Sequence, residues 1–294
     1  MAANLTDPRE AGPKPPFPQQ PQVHPGSIHQ MNPRADHGED SYEGTGKLRG
    51  RVAIITGGDS GIGRAVAIAF AKEGADIVLS FLPAEQADAD DTAVVIEKVG
   101  RSVAIVPGDI RETETIHKLV SSAITQFGHL DIVVNNAAYQ MSHEDIQELT
   151  PDELDRTFRT NIFGTFLLSQ AALKKLPVGG VILNTTSIQA YDPSPQLVAY
   201  AATKAAILSM TKSIAEFAIK QGVRVNAVAP GPVWTPLIPA TMPEEKVKTF
   251  GANTGFGRPA QPIELAKIYV FLASDEASYV TGEVYGATGG RTPY

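Results

Sequence analysis

Cysteine is absent from the 294-residue sequence, which excludes disulfide bridges, thiolate metal sites and a cysteine nucleophile together. Positive charge is also short. The 25 Lys and Arg stand against 32 Asp and Glu, a formal net charge of −7, which argues against nucleic acid or an anionic membrane as the main partner. No uninterrupted apolar run approaches the ~18 residues of a membrane span. The first residues lack the apolar core of a secretory signal, and Asp7, Glu10, Asp36, Glu39 and Asp40 are residues that a transit peptide avoids, so a cytoplasmic location is the default expectation. His24, His29 and His37 are irregularly spaced in a stretch without periodicity, and no metal site is expected there. What remains, 43% hydrophobic and 19% charged, is the range of a globular protein long enough for one large domain or two small ones.

Residues 1–46 are set apart by Pro8, Pro13, Pro15, Pro16, Pro18, Pro21, Pro25 and Pro33 and by the lack of either helical or strand periodicity. A segment with so little apolar surface does not offset its own ordering entropy, so it is expected to be disordered or to lie as an extended arm on another surface. From Lys47 onward apolar runs of strand length alternate with helical patterns. Strands are expected at 51–56, 77–81, 102–106, 131–134, 180–186, 223–229 and 282–286, with helices between them at 62–72, 84–99, 112–127, 150–175, 197–220 and 262–272. Thr150-Pro-Asp-Glu153 is a capping box with proline at the first helical position, a strong start signal. Unbroken alternation of this kind predicts one domain over 47–294, a doubly wound α/β fold with a mostly parallel sheet and helices on both faces.

The chemistry gathers where strands end. Thr56-Gly57-Gly58-Asp59-Ser60-Gly61-Ile62-Gly63 joins the first strand to the first helix, spaced Gly-x-x-x-Gly-x-Gly. Such a turn lets backbone N–H groups approach a diphosphate and aims a helix N-terminus at it. No Lys-Ser/Thr follows, so it is not a Walker-type phosphate loop. Ser80-Phe81 at the tip of the second strand, Asp109-Ile110 after the third, Asn135-Asn-Ala137-Ala138 after the fourth, and Pro230-Gly231-Pro-Val233-Trp234-Thr235 after the sixth fall on the same edge, placed to contact one ligand.

Tyr200 and Lys204 lie four apart in a helical pattern, hence on one helix face. A cation beside a phenol favours the phenolate and is expected to move its pKa toward working pH, so that Tyr200 passes a proton to or from a substrate oxygen. Ser187 ends the fifth strand and is placed to hydrogen-bond the same oxygen. Asn161 stands inside a helix, where asparagine is mildly disfavoured. Gln189, Tyr191 and Trp234, on loops above the sheet edge, are the candidate substrate contacts. His143 reads as a solvent-exposed loop residue. The connection 234–256, with a short charged helix expected at 244–250, has the length of a lid.

Taken together, these motifs resemble the classical short-chain dehydrogenase/reductases over residues 47–294, and within them the NADP-dependent aldehyde reductases and glucose/ribitol dehydrogenase homologues. The resemblance implies a nicotinamide cofactor, NADP or NAD, and a small carbonyl or alcohol substrate. It also implies a tetrad: Tyr200 as acid/base, Lys204 lowering its pKa and holding the nicotinamide ribose, Ser187 on the substrate oxygen, Asn161 anchoring a relay water. A homotetramer, with the proline-rich arm on a neighbouring subunit, is implied as well. Cofactor choice stays open, because Ser80 suits a 2′-phosphate and Asp59 repels one; only the resemblance tilts toward NADP. The family pattern Asn-Asn-Ala-Gly is broken by Ala138, which would be strained by roughly 1 kcal/mol if the backbone there needs positive φ. The alternative is a non-catalytic dinucleotide-binding redox sensor or scaffold, which has no need of the four tetrad residues together.

Overall fold

The computed structural model describes residues 5–291. Seven strands form one all-parallel sheet in the order β3-β2-β1-β4-β5-β6-β7, where β1 is Val52–Thr56, β2 Asp76–Phe81, β3 Val103–Pro107, β4 Ile132–Asn135, β5 Val181–Thr185, β6 Arg224–Pro230 and β7 Val284–Ala287. The central strands are buried along their whole length because helices cover both faces, which is why they read as apolar runs and not as alternating patterns. One core lies between the sheet and helices α1 (Gly61–Lys72) and α9 (Pro262–Ala273); it includes Ile55, Phe70, Leu79 and Tyr269. The other lies under α3 (Thr113–Phe127), α5 (Thr165–Leu173) and α6 (Val198–Ala218), with Ile54, Leu119, Val133 and Ile182. α2 (Gln86–Lys98) packs beside α1 at the β2–β3 side.

The chain reverses its winding direction between β1 and β4, and the ends of these two strands are tied by one side chain. Thr56 Oγ1 accepts the N–H groups of Asn136 and Ala137, each at 3.0 Å, and so holds open the crevice at which ligands of such sheets bind. Two glycines shape that crevice. Gly57 has φ +61°, and a methyl group on Gly63 would fall 1.8 Å from the Gly57 carbonyl oxygen, so α1 starts hard against the turn only without a side chain there.

Three expectations are refined. The helix expected at 150–175 is broken: α4 (Pro151–Phe158) passes into a π-helical stretch, Arg159–Gly164, before α5. Asn161 and Gly164 are poor helix formers, and a wider turn gives the Asn161 side chain its depth. The connection expected as a lid carries two short helices, α7 (Leu237–Thr241) as well as the charged α8 (Glu244–Lys248). The described part of the arm takes the second of its two expected courses and lies on a surface, here that of its own chain. Phe17 and Met31 are buried with Trp234, Ile238 and Val247 in a separate apolar cluster that the low apolar content of the arm did not suggest.

Candidate active site

At the carboxyl edge of the sheet a cleft runs from the tip of β2, past the glycine turn, to Tyr200 and Lys204. Gly57, Asp59, Ser60, Gly61 and Ile62 form its floor, with Ser80, Phe81, Asp109, Ile110, Ala137, Ala138 and Thr235 among its walls. Lys204 is 1% exposed and donates from Nζ to the Thr185 carbonyl at 2.7 Å, which fixes the ammonium at the end of β5. It stands 5.3 Å from the centre of the Tyr200 ring. Ser187, the N-cap of a short 3-10 turn, accepts the Gln189 N–H at 3.1 Å, and its hydroxyl draws the Tyr200 phenol pKa downward.

The direction of the phenol shift differs from expectation. Burial pushes Tyr200 up to about 12, with the Ser187 hydroxyl pulling the other way. Burial also pushes Lys204 down to about 7. The low-dielectric floor of the cleft disfavours both charged forms, and this outweighs the pairing that the four-residue spacing suggests.

Asn161 is fully buried and is a tie between elements. Its Oδ1 accepts the Tyr139 N–H at 2.7 Å, and its Nδ2 donates to the Tyr139 carbonyl and to Thr203 Oγ1, both at 2.9 Å. The loop after β4 is thereby bound to the helix that carries Tyr200 and Lys204.

Several expected contacts stand elsewhere. Asn135 turns away from the cleft: its amide donates to Ser169 Oγ at 3.0 Å and Asn184 Oδ1 at 2.9 Å, because neighbouring residues of a strand face opposite sides. Its successor, Asn136, lines the cleft and donates to the Thr56 and Gly57 carbonyls. Trp234 is 0% exposed and stacks on Phe17, its Nε1 donating to the Pro33 carbonyl at 2.8 Å, so it serves the arm and not a substrate. Pro230, Gly231 and Val233 stand behind the cleft wall: Pro230 ends β6, a methyl on Gly231 would meet Thr288 at 2.8 Å, and Val233 is core. Gly63 acts through the close approach to Gly57 already described. Gln189 lines a second cavity with Asp192, Lys246 and Arg291, and its Oε1 accepts the Ser194 N–H. Tyr191 closes the 3-10 turn through its N–H to the Ile188 carbonyl. No described non-glycine residue has positive φ, so Ala138 carries no backbone strain. His143 is paired with Glu153 at 2.7 Å instead of free in solvent.

Sequence reading missed Glu85, Arg111, Arg156 and Thr160, which line the cleft, and His24 and Pro25 of the arm, which close over it. Strand alternation was a signal for Asn136; nothing in the proline-rich stretch marked His24.

The cleft suits a nucleotide on its own evidence. A turn whose glycines admit no side chain opens a helix N-terminus, and both oxygens of Asp59 and Ser80 Oγ are buried without a hydrogen-bond partner beside it. Among the described residues no cluster of His, Asp and Glu has metal-binding geometry. Nor is any described helix long and apolar enough to cross a membrane.

The family model described as enoyl-(acyl carrier protein) reductase matches residues 57–292. The chain is 51% identical over 274 residues to the uncharacterized oxidoreductase YhdF of Bacillus subtilis, covering 93% of this chain and 94% of that protein. It is 43% identical over 272 residues to NADPH-dependent aldehyde reductase 1, chloroplastic, of Arabidopsis thaliana, covering 90% and 94%. Among solved structures, a short-chain dehydrogenase from Burkholderia cenocepacia in complex with NADP superposes with a TM-score of 0.78 at 29% identity, covering 83% of this chain and 98% of that one.

Proposed function

The chain belongs to the short-chain dehydrogenase/reductase family, and from that premise we propose that it moves hydride between a nicotinamide dinucleotide and a small carbonyl or alcohol, with Tyr200, Lys204, Ser187 and Asn161 as the working residues. It is an NAD(P)-dependent oxidoreductase. The observation that supports the assignment of residues is the placing of Tyr200 and Lys204 at the end of β5, in a cleft whose other end is the glycine turn, with Ser187 just beyond β5 acting on the Tyr200 phenol.

When bound, the dinucleotide supplies the hydride or accepts it. The protein's own part is to orient and to handle the proton. Tyr200 hydrogen-bonds the substrate oxygen and exchanges a proton with it; Ser187, whose hydroxyl acts on the same phenol, holds that oxygen in place. Lys204, held by the Thr185 carbonyl, takes one geometry beneath the phenol and is the next proton carrier. Asn161 keeps the Tyr139 loop and α6 in register. Gly57 to Ile62 receive the diphosphate on backbone N–H groups, and Phe81 and Ile110 flank the base end of the cleft.

The name of the Arabidopsis relative supports an aldehyde as substrate, and the sequence resemblance extends the class to sugars and polyols. We place the enzyme in the cytoplasm as a homotetramer on family grounds. Residues 1–46 act as an extension of the 47–294 domain. Parallel fluorescence titrations with NADH and NADPH, followed by oxidation of each by a panel of short aldehydes and aldoses, test the reading. Carbonyl-dependent oxidation supports it, and binding without turnover on any carbonyl would move weight to a sensor.

A further inference from the structure

The amino-terminal arm reaches the cleft as a loop with a closed neck. Gln20 Oε1 accepts the Asn32 N–H at 2.9 Å, and the Gln20 amide donates back to the Asn32 carbonyl. The neck is fixed on both sides: Phe17 and Met31 are buried with Trp234, Ile238 and Val247, and Trp234 Nε1 holds the Pro33 carbonyl. Residues 20–32 therefore project as a compact surface loop, its ends held together and its tip available for function. The Gln22 N–H donates to the Pro239 carbonyl of α7 at 3.2 Å, and Gln22 Oε1 braces the loop from inside by accepting the Ser27 N–H at 2.7 Å.

The tip bridges the walls of the cleft. His24 and Pro25 line it. The His24 ring packs edge-on against Tyr139, in the loop after β4, with 5.1 Å between centroids, and the Arg156 guanidinium packs on the same ring at 4.1 Å. Burial, and after it the Arg156 charge, hold the His24 pKa below its usual value, so at neutral pH the ring enters the cleft uncharged, with one N–H to donate. A methyl group on Gly26 would fall 2.7 Å from the Pro236 carbonyl oxygen, so the tip lies hard against the loop after β6. Its far end rests on α2. Asp88, 3% exposed, accepts Ser27 Oγ at 3.0 Å and the Ile28 N–H at 2.9 Å, and His29 Nε2 stands 3.2 Å from Asp91 Oδ2. Thr92 Oγ1 contacts the Asp88 and Asp59 carbonyls at 2.9 and 3.0 Å, which places this end beside the glycine turn.

We propose that residues 20–32 are a flap over the dinucleotide, hinged at the Trp234 cluster and latched on Asp88, with His24 as the arm residue that touches the bound nucleotide, and that the nucleotide enters and leaves only when the latch opens. The inference rests on the dinucleotide reading above. Hinge and latch differ in kind. The hinge is a cluster of buried apolar side chains, whereas the latch is a few hydrogen bonds at the loop tip, so local opening starts at the latch. Loss of one donor to a buried carboxylate raises the open population by about 10-fold. A flap of this kind keeps water from the nucleotide while it is closed and makes its release a separate, slower step.

The test is the rate at which a reduced nucleotide leaves the full-length protein. NADPH and NADH are first titrated at equilibrium by fluorescence, and the complex of whichever binds is then mixed in a stopped-flow instrument with an excess of its oxidised form. Ser27→Ala removes a latch donor that does not line the cleft, and it is expected to raise the dissociation rate by ~10-fold. His24→Ala is expected to raise it by at least ~3-fold through loss of the tip contact. Because the chain has no cysteine, His29→Cys with Asp91→Cys gives a pair that a short bifunctional maleimide ties shut without competing thiols. Cross-linking should slow dissociation by at least ~10-fold relative to the same variant beforehand, and it decides the matter if Ser27→Ala does not fold. Rates that Ser27→Ala and the cross-link both leave within ~2-fold of their references overturn the flap, whatever His24→Ala does, and leave the oxidoreductase reading intact. Failure of both nucleotides to bind overturns both.

Discussion

The ring of Phe17 in the amino-terminal arm stacks on Trp234, in the loop after β6, with 4.1 Å between centroids and 24° between planes. Phe250 also approaches the indole, 6.4 Å between centroids, so the single tryptophan joins the arm to the connection that follows β6. His24 and Pro25 line the cleft because this anchor and the bond from Trp234 Nε1 to the Pro33 carbonyl hold the segment between them down.

Phe17→Ala is therefore expected to destabilise the folded chain by roughly 3 kcal/mol, the cost of removing a buried aromatic ring. Thermal melts of the variant beside wild type check it. A melting temperature within a degree of wild type would mean that the arm is not held by this contact.

Tyr200→Phe should keep nucleotide affinity close to wild type and lose turnover by at least ~10²-fold, since the ring still packs and only the proton carrier is gone. Retained turnover would sink the acid/base assignment. Ser187 is then the candidate to examine, as the other hydroxyl of the pair.

Much of this was legible in the chain because the signals are local. Strands such as 52–56 and 181–185 are short apolar runs, and the glycine turn and the Tyr200/Lys204 spacing each lie within eight residues or fewer. What escaped depends on contacts remote in sequence. The role of Trp234 is set by a phenylalanine more than 200 positions earlier, and Arg64 of α1 is held by Glu39 of the arm. The spacing of Tyr200 and Lys204 places them correctly, but the phenol's shift follows burial, which no spacing reveals. Asn135 and Asn136 look interchangeable until strand direction decides which one faces the cleft.

Asn161→Ala leaves the Tyr139 N–H and carbonyl without their partners in a fully buried place, and a cost of about 2 kcal/mol is expected. Asn161→Asp keeps the acceptor for the Tyr139 N–H and loses both donor bonds, to the Tyr139 carbonyl and to Thr203 Oγ1, so it separates the acceptor half of the tie from the donor half. If the bond to Tyr139 N–H matters most, urea unfolding should place the aspartate variant at neutral pH between wild type and alanine. Equal loss in both variants would point to the amide donor, shared by the Tyr139 carbonyl and Thr203, instead.

Lys204 gives a prediction whose sign depends on pH. Its folded pKa, about 7, lies below the ordinary 10.5, so the unfolded chain holds more protons between these values and folding becomes more favourable as pH rises through that window. Below pH 7 both states are charged and the full cost of burying the ammonium is present; above 10.5 both are neutral and the cost is gone. Lys204→Met, of similar length and without charge, removes that cost. Its melting temperature should exceed wild type by a few degrees near pH 6, and the gain should shrink as the pH approaches 10, while turnover falls because the Thr185 carbonyl no longer positions an ammonium beneath Tyr200. Melts of both proteins at the two pH values decide it. A difference that stays constant with pH would mean that Lys204 keeps its ordinary pKa in the folded chain, and would return to the lysine a fixed positive charge able to draw the Tyr200 pKa downward.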